Sequence, residues 1–382
     1  MSKINELIKE MCPNGVEYVK LEELVDYIQP AKYIVKNTNY DIKYDVPVLT
    51  AGQTFILGYT NEKDGIYYAS ADNPVIIFDD FTTSNHWVDF NFKVKSSAMK
   101  ILISKTDNLF KYIYYCISNI DYVPKEHSRQ WIQVYSQFPI PLPPLKVQEE
   151  IVRILDKFGE LEAELEAELE ARKTQYEFWR GKLLNSGNSN QQYITLGDIG
   201  KVCMCKRIMK NETSDSGDVP FFKIGTFGKQ ADAYISYDIF NDYKKRFSYP
   251  KKGEILVSCS GTIGRSVVFD GNDAYFQDSN IVWLSNDERK ILNKFLYYFY
   301  QTSPWNISDG GTIKRLYNNQ FISTKVPLYS LEKQKMIVSI LERFDKLIND
   351  ISEGLPAEIE LRRKQYEYYR NKLLSFEGLY YE

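Results

Sequence analysis

Hydrophobic spacing divides this chain into two kinds of segment. Over residues 142–184 (LPPLKVQEEIVRILDKFGELEAELEAELEARKTQYEFWRGKLL), apolar or aromatic residues recur at 151, 155, 158, 165, 169, 176, 179 and 183. Steps of three and four predict a long helix with a coiled-coil seam. Glu162 and Arg172 occupy the skipped positions. Residues 328–374 (LYSLEKQKMIVSILERFDKLINDISEGLPAEIELRRKQYEYYRNKLL) carry a second seam at 337, 341, 344, 348, 351 and 355. It resumes at 359, 366, 369 and 373, shifted by four residues. Such a stutter locally unwinds a supercoil, and Pro356 is expected to bend or interrupt the helix.

The two runs are copies. Gln148 falls on Gln334, Ile151 on Ile337, Leu155 on Leu341 and Phe158 on Phe344. Gln175-Tyr176-Glu177 falls on Gln365-Tyr366-Glu367, and Lys182-Leu183-Leu184 on Lys372-Leu373-Leu374. The offset is 186 at the front and 190 at the back, so the second copy has an extra turn around Gly354-Leu355-Pro356-Ala357. An internal repeat of this length outranks local motifs as a guide to architecture.

The repeat extends to the shorter-period segments. Tyr18-Val19-Lys20-Leu21 matches Tyr193-Ile194-Thr195-Leu196 as a strand-like opening. Asp45-Val46-Pro47-Val48-Leu49 matches Asp218-Val219-Pro220-Phe221-Phe222. Pro74-Val75-Ile76-Ile77-Phe78 and Gly253-Glu254-Ile255-Leu256-Val257 read as buried strands. LFKYIYYCI and ILNKFLYYFY are aromatic-rich helix candidates. Ile140-Pro141-Leu142 and Val326-Pro327-Leu328 lead into the long helices, and their prolines exclude a central strand.

The order is therefore globular domain (1–142), long helix (143–185), globular domain (186–329), long helix (330–378). A pseudo-two-fold axis is the simplest relation between such halves, and it makes the helices antiparallel. The expected fold is α+β: two globular domains separated by two long antiparallel coiled-coil helices. A helix of about 40 residues spans roughly 60 Å. Asn185-Ser186-Gly187-Asn188-Ser189-Asn190-Gln191-Gln192 reads as a polar linker.

Totals add less. The 382 residues suffice for two or three domains, and 43% hydrophobic content for sizeable cores. No apolar run approaches the roughly 18 residues of a membrane span, and MSKINELIKEMCPNG lacks the apolar core of a secretory signal. A cytoplasmic protein with reduced thiols is expected for the five scattered cysteines. Cys203-Met204-Cys205 does not have zinc spacing, and the only histidines, His86 and His127, lie far from it, so no structural metal is expected. The net charge of −3 conceals an uneven distribution: residues 143–185 carry −3 and residues 186–329 carry +4. A near-neutral total says little about a local basic face.

The motifs of catalysis are missing. The chain has no Gly-x-x-x-x-Gly-Lys-Ser/Thr phosphate loop, no Gly-x-Gly-x-x-Gly cofactor loop after a strand, and no Asn-Pro-Pro-Tyr/Phe. Asp79-Asp80 is an acidic pair after a strand, but with no nearby lysine in the sequence to complete a nuclease site it reads as a loop pair or helix cap. Gly261-Thr262-Ile263-Gly264 reads as a turn that lets backbone approach something closely. The loops instead hold residue types that read bases and bind phosphates. In the first domain these are Thr82, Thr83, Ser84 and Asn85, then Lys125, His127, Ser128, Arg129 and Gln130. In the second they are Lys244, Lys245, Arg246, Ser260, Thr262, Gly310, Gly311, Thr312, Lys314 and Arg315. Arg, Gln and Asn offer bidentate donors to guanine and adenine edges; Lys, Ser, Thr and glycine amides suit phosphates. Taken singly, each cluster reads as ordinary solvated loop. Arg129 and Lys314-Arg315 stand out because both precede the Pro-Leu entry to a long helix.

The doubled plan, the (I/V)PLxxLxxQ entry, the Leu-Glu-Ala-Glu repeat and the Arg-Lys-x-Gln-Tyr-Glu-x-x-Arg-x-Lys-Leu-Leu exit resemble the specificity subunit of type I restriction-modification enzymes across essentially the whole chain. The resemblance implies that each globular domain is a target-recognition domain for one half of a bipartite site in double-stranded DNA. It implies that the helices set the gap and dock two modification subunits, which methylate adenine, with restriction subunits joining to cut. S-adenosylmethionine, ATP and Mg would then sit on partner subunits and no cofactor on this chain. Two other classes compete: a coiled-coil scaffold that does not touch DNA, and a free-standing nuclease or methyltransferase. The missing motifs count against the latter.

Overall fold

The computed structural model describes residues 2–50, 52, 54–185, 190–307 and 314–378. They form two compact units, one from Met1–Leu165 with Ile359–Glu382 and one from Glu166–Glu358. Each long helical region therefore contributes to both units.

Each unit contains the same three sheets. In the first unit a four-stranded antiparallel sheet is ordered Val25–Ile28, Met99–Ser104, Val75–Asp79, Asn85–Val88. Its counterpart in the second unit is ordered Gly200–Met204, Ile281–Asn286, Ile255–Ser258, Ser266–Val268. Val75, Ile76, Ile77 and Phe78 are fully buried, as are Leu256 and Val257, because both faces of these inner strands are covered. A continuous apolar run is what such a position requires, and each buried side chain contributes about 1.5–3 kcal/mol. A three-stranded sheet in each unit pairs Val46–Leu49 or Val219–Phe222 with one antiparallel and one parallel neighbour. The Pro-containing segments pair as two-stranded ribbons, Glu17–Lys20 with Pro139–Leu142 and Tyr193–Thr195 with Lys325–Pro327. A ribbon has only edges, so the missing proline N–H costs no internal ladder bond.

The aromatic helices Phe110–Ser118 and Asn293–Tyr300 pack on these sheets, and the repeated glutamine fixes where each begins. Gln148 Oε1 accepts from Leu109 N (3.2 Å), while its Nε2 donates to the Asn108 Oδ1 (3.1 Å) and Pro143 O (2.8 Å). Gln334 does the same with Leu292 N (2.8 Å), Lys290 O (2.8 Å) and Tyr329 O (2.9 Å). Both glutamines are buried, and each satisfies the free amide at a helix start.

The first long helix is continuous over Leu145–Leu184. In the first unit it runs antiparallel to the last helix: Phe158 stacks on Tyr369 at 5.5 Å, and Glu162 pairs with Arg363 at 2.8 Å. In the second unit Tyr176 meets Phe344 at 6.1 Å. The second helical region is two helices, Leu331–Asn349 and Leu355–Leu373. The interruption lies just before Pro356, which occupies the first turn of the new helix where its missing N–H is harmless. Asp350 Oδ1 closes the break by accepting from Ser352 N (2.7 Å) and Glu353 N (3.2 Å).

Two seam positions are corrected. Ile351 is 86% exposed because it falls in that break. Trp179 is also exposed; the inward position is Arg180, which lies over the Tyr176 ring at 5.1 Å and bonds Gln301 Oε1 at 3.3 Å. The seam steps 176, 180, 184 at that end, a spacing of four that hands the aromatic to solvent.

The first unit is closed by residues from both ends of the sequence. Val16 N donates to Glu377 O (2.9 Å) and Tyr18 Oη to Phe376 O (2.7 Å). Gly15, at φ +90°, permits this approach, since a Cβ there would lie 2.3 Å from Glu377 O.

Candidate nucleic-acid interface

In each unit the hairpin after the central buried strand presents a polar turn, and a second loop closes over it. In the first unit the hairpin joins Val75–Asp79 to Asn85–Val88. Asp79 Oδ1 accepts from Phe81 N (2.8 Å) and Thr82 N (3.0 Å), and Thr83 takes φ +63° to complete the turn. Thr82 is exposed, with its Oγ1 2.9 Å from Ser84 Oγ. Thr83 is buried and donates its hydroxyl to Thr82 O (2.6 Å). Asn85 Oδ1 accepts from Ser118 Oγ (2.6 Å), which ties the turn to the aromatic helix.

Residues 125–131 cover this turn. Gln130 N donates to Asp80 O (2.8 Å), Trp131 N to Asp80 Oδ1 (2.9 Å), and the rings of His127 and Phe81 stack at 4.6 Å. Lys125, His127, Ser128 and Arg129 are exposed. Gln130 is not: it is 3% exposed and its amide is consumed by the loop. Its Oε1 accepts from Tyr122 Oη (2.8 Å), and its Nε2 donates to Ser128 O (2.8 Å) and Ser128 Oγ (3.0 Å). Gln130 is therefore corrected from a base-reading candidate to a residue that shapes the loop, and buried Thr83 likewise shapes the turn.

In the second unit the hairpin joins Ile255–Ser258 to Ser266–Val268. The close approach expected of the glycine turn is to an indole: Gly264 sits at φ +84°, and a Cβ there would lie 2.3 Å from Trp305 Nε1. Ser258 Oγ accepts from Arg265 N (3.0 Å) and donates to Thr262 O. Ser260 is half-buried and donates to Asn280 Oδ1 (2.9 Å), whereas Thr262 is exposed. Leu316 N donates to Cys259 O (2.8 Å), and Arg315 Nη2 to Ser279 O (2.8 Å). Lys314 is exposed. Burial pushes the Cys259 thiol up to about 11, so it is a neutral packing group. Gly310, Gly311 and Thr312 lie outside the described residues.

Hydrogen bonds make the two constructions equivalent. Asp80 N donates to Ala98 O (3.1 Å) and Asp80 O accepts from Gln130 N; Cys259 N donates to Asn280 O (2.7 Å) and Cys259 O accepts from Leu316 N. Arg129 and Arg315 each precede the amide that closes the loop, so they occupy one structural position. The triplet Lys244, Lys245 and Arg246 ends the helix Tyr237–Arg246, where basic charge also complements the helix dipole. Lys244 pairs with Asp273 (3.1 Å) and Arg246 with Asp242 (2.7 Å). These contacts give Lys244 and Arg246 a local role apart from the 259–265 turn.

Sequence reasoning missed the ionic centre of the first turn. Asp80 is 1% exposed, and Lys100, fully buried, places its Nζ 3.5 Å from Asp80 Oδ2. The available signal was a lone lysine inside the mostly apolar strand MKILIS. Among the described residues there is no group of three metal-ligating side chains and no helix long and apolar enough to cross a membrane.

Residues 13–171 and 188–361 match the family model described as the type I restriction modification DNA specificity domain. The chain is 45% identical over 380 residues to a putative type I restriction enzyme specificity subunit of Haemophilus influenzae, covering 94% of this chain and 96% of that one. It is 41% identical over 401 residues to the EcoR124I/EcoR124II specificity subunit of Escherichia coli, covering 98% of each. In fold it is similar to the S subunit of a type I restriction-modification system from M. genitalium (TM-score 0.52, 15% identity, covering 94% of this chain and 96% of that one). It is also similar to a chain from a structure describing complex assembly and conformational transition of the type I system (TM-score 0.56, 14% identity, covering 95% and 98%).

Proposed function

This chain belongs to the family of type I restriction-modification specificity subunits, and we propose that each of its two units reads one half of a bipartite site in double-stranded DNA. The observation that carries this reading is the doubled turn-and-loop construction with Arg129 and Arg315 at one equivalent position. In each unit a rigid buried strand presents a hairpin turn, and a second loop brings an arginine to it. Arginine's fork suits the O6/N7 pair of guanine in the major groove. Thr82, Ser84, Lys125, His127 and Ser128 in the first unit, and Thr262 and Lys314 in the second, supply phosphate and secondary base contacts.

In this reading the chain performs no chemistry of its own. Its long helices set the gap between half-sites and dock two modification subunits, which methylate adenine with S-adenosylmethionine. Restriction subunits using ATP and Mg complete a cleaving complex, which operates in the cytoplasm.

The test is binding by the assembled complex of this chain with its modification subunits. Affinity for a duplex carrying the site is expected to fall linearly in log–log terms with salt, by about one power for each phosphate neutralised. Discrimination against a duplex lacking the site should persist across that range. Binding that ignores sequence at every salt concentration would overturn the reading, and no binding at all would favour a scaffold.

A further inference from the structure

We infer that Asp80 is a specificity-positioning residue: with Lys100 it aims the Arg129 guanidinium at the base edge. The inference rests on the proposal that Arg129 reads a base in the first unit's half-site. Asp80 is buried to 1% exposure beneath the loop that carries Arg129. It holds that loop at the two amides that directly follow the arginine, accepting from Gln130 N with its carbonyl (2.8 Å) and from Trp131 N with Oδ1 (2.9 Å). The other carboxylate oxygen, Oδ2, is 4.0 Å from Arg129 Nε and 3.5 Å from Lys100 Nζ.

The atoms involved decide the consequence. The close approach to the carboxylate is at Nε, the inner nitrogen, while the side chain that carries the terminal Nη1 and Nη2 remains 54% exposed. Those two nitrogens form the fork that reads a guanine edge bidentately. Lys100 is fully buried, and its Nζ also lies 4.7 Å over the Tyr27 ring. Its charge offsets that of Asp80, so the carboxylate can orient Arg129 without presenting net negative charge to DNA. A buried pair of this kind adds little stability compared with apolar replacements of similar volume, and a role in specificity explains its presence better. The second unit lacks this arrangement: Cys259 stands in the place of Asp80, and Arg315 is held through its Nη2 by a carbonyl, Ser279 O.

The experiment uses the assembled complex and duplexes in which each base pair of the mapped half-sites is replaced in turn. The variants are Arg129→Ala, Arg129→Lys and the double variant Asp80→Asn with Lys100→Met. The double variant removes both buried charges together and leaves the Trp131 N–H an amide oxygen to bond. Expected is a roughly 5- to 150-fold loss of discrimination at one base pair, the same position for the double variant and for Arg129→Ala, with the other half-site unchanged. Arg129→Lys, an exposed substitution that keeps the charge but not the fork, should lose discrimination at that position too, with unchanged melting. Full discrimination in the double variant alongside its loss in Arg129→Ala would overturn the positioning role and leave the Arg129 reading intact. Full discrimination in Arg129→Ala would overturn both, as would a loss uniform over all sequences. If the double variant fails to fold, Arg129→Lys decides: retained discrimination would show that an aimed fork is not needed and overturn the inference.

Discussion

At the scale of single residues, the most constrained positions are those where backbone and side chain cannot both be accommodated otherwise. Gly264 combines φ +84° with no room for a Cβ beside Trp305. Gly264→Ala is expected to destabilise the second unit by roughly 2–5 kcal/mol, from left-handed strain together with overpacking; thermal melting checks it, and an unchanged melting temperature would refute the close approach. Gln334→Leu is expected to cost about 2–4 kcal/mol, because it strands Leu292 N, Lys290 O and Tyr329 O inside the fold. Denaturant unfolding should record it. The match of Gln148 with Gln334 was visible in the sequence, but its reason was not: the partners at each helix start lie 39 to 44 residues away in the chain. Arg129 was singled out from its loop composition, and it lies exposed on the loop that covers the hairpin turn. Gln130 beside it was misread because loop polarity does not reveal whether an amide faces solvent or closes the loop on itself.

At the scale of elements, period and repetition carried most of the information. The long helices, the aromatic helices and the buried strands all follow from spacing, and each occurs twice. What spacing could not locate was the phase at the helix ends. Trp179 continues a three-and-four pattern, yet Arg180 takes the inward position by stacking its guanidinium on Tyr176. Ile351 continues its seam on paper but lies beyond the helix end at Asn349. The tandem Leu-Glu-Ala-Glu stretch at 161–168 lies within the continuous first helix, where its glutamates are half-buried to exposed. Inserting one further Leu-Glu-Ala-Glu after Glu168 lengthens the helix by about 6 Å and turns it by only about 40°. The expected outcome is the same two half-sites with a gap one or two base pairs longer, since duplex DNA rises about 3.4 Å per base pair. Methylation mapping of that variant checks it; an unchanged gap or altered half-site letters would refute the reading that helix length sets the gap.

At the scale of the whole chain, a duplicated sequence has become two units with matching sheets, matching helix starts and matching loop closures. The sequence halves and the folded units differ in one respect: the first unit recruits Ile359–Glu382 from the far end of the chain. Backbone bonds from Val16 to Glu377, which no periodicity announces, make that closure. The central claim is that the two units read separate halves of one site through equivalent arginines. Its most direct test is genome-wide adenine-methylation mapping in cells carrying the modification partner with the parent chain, Arg129→Ala or Arg315→Ala. The parent is predicted to yield one motif of two half-sites around a fixed gap. Each variant should relax a single base position, Arg129→Ala in one half and Arg315→Ala in the other. A parent motif that is not bipartite, or two variants that relax the same half, would contradict the account.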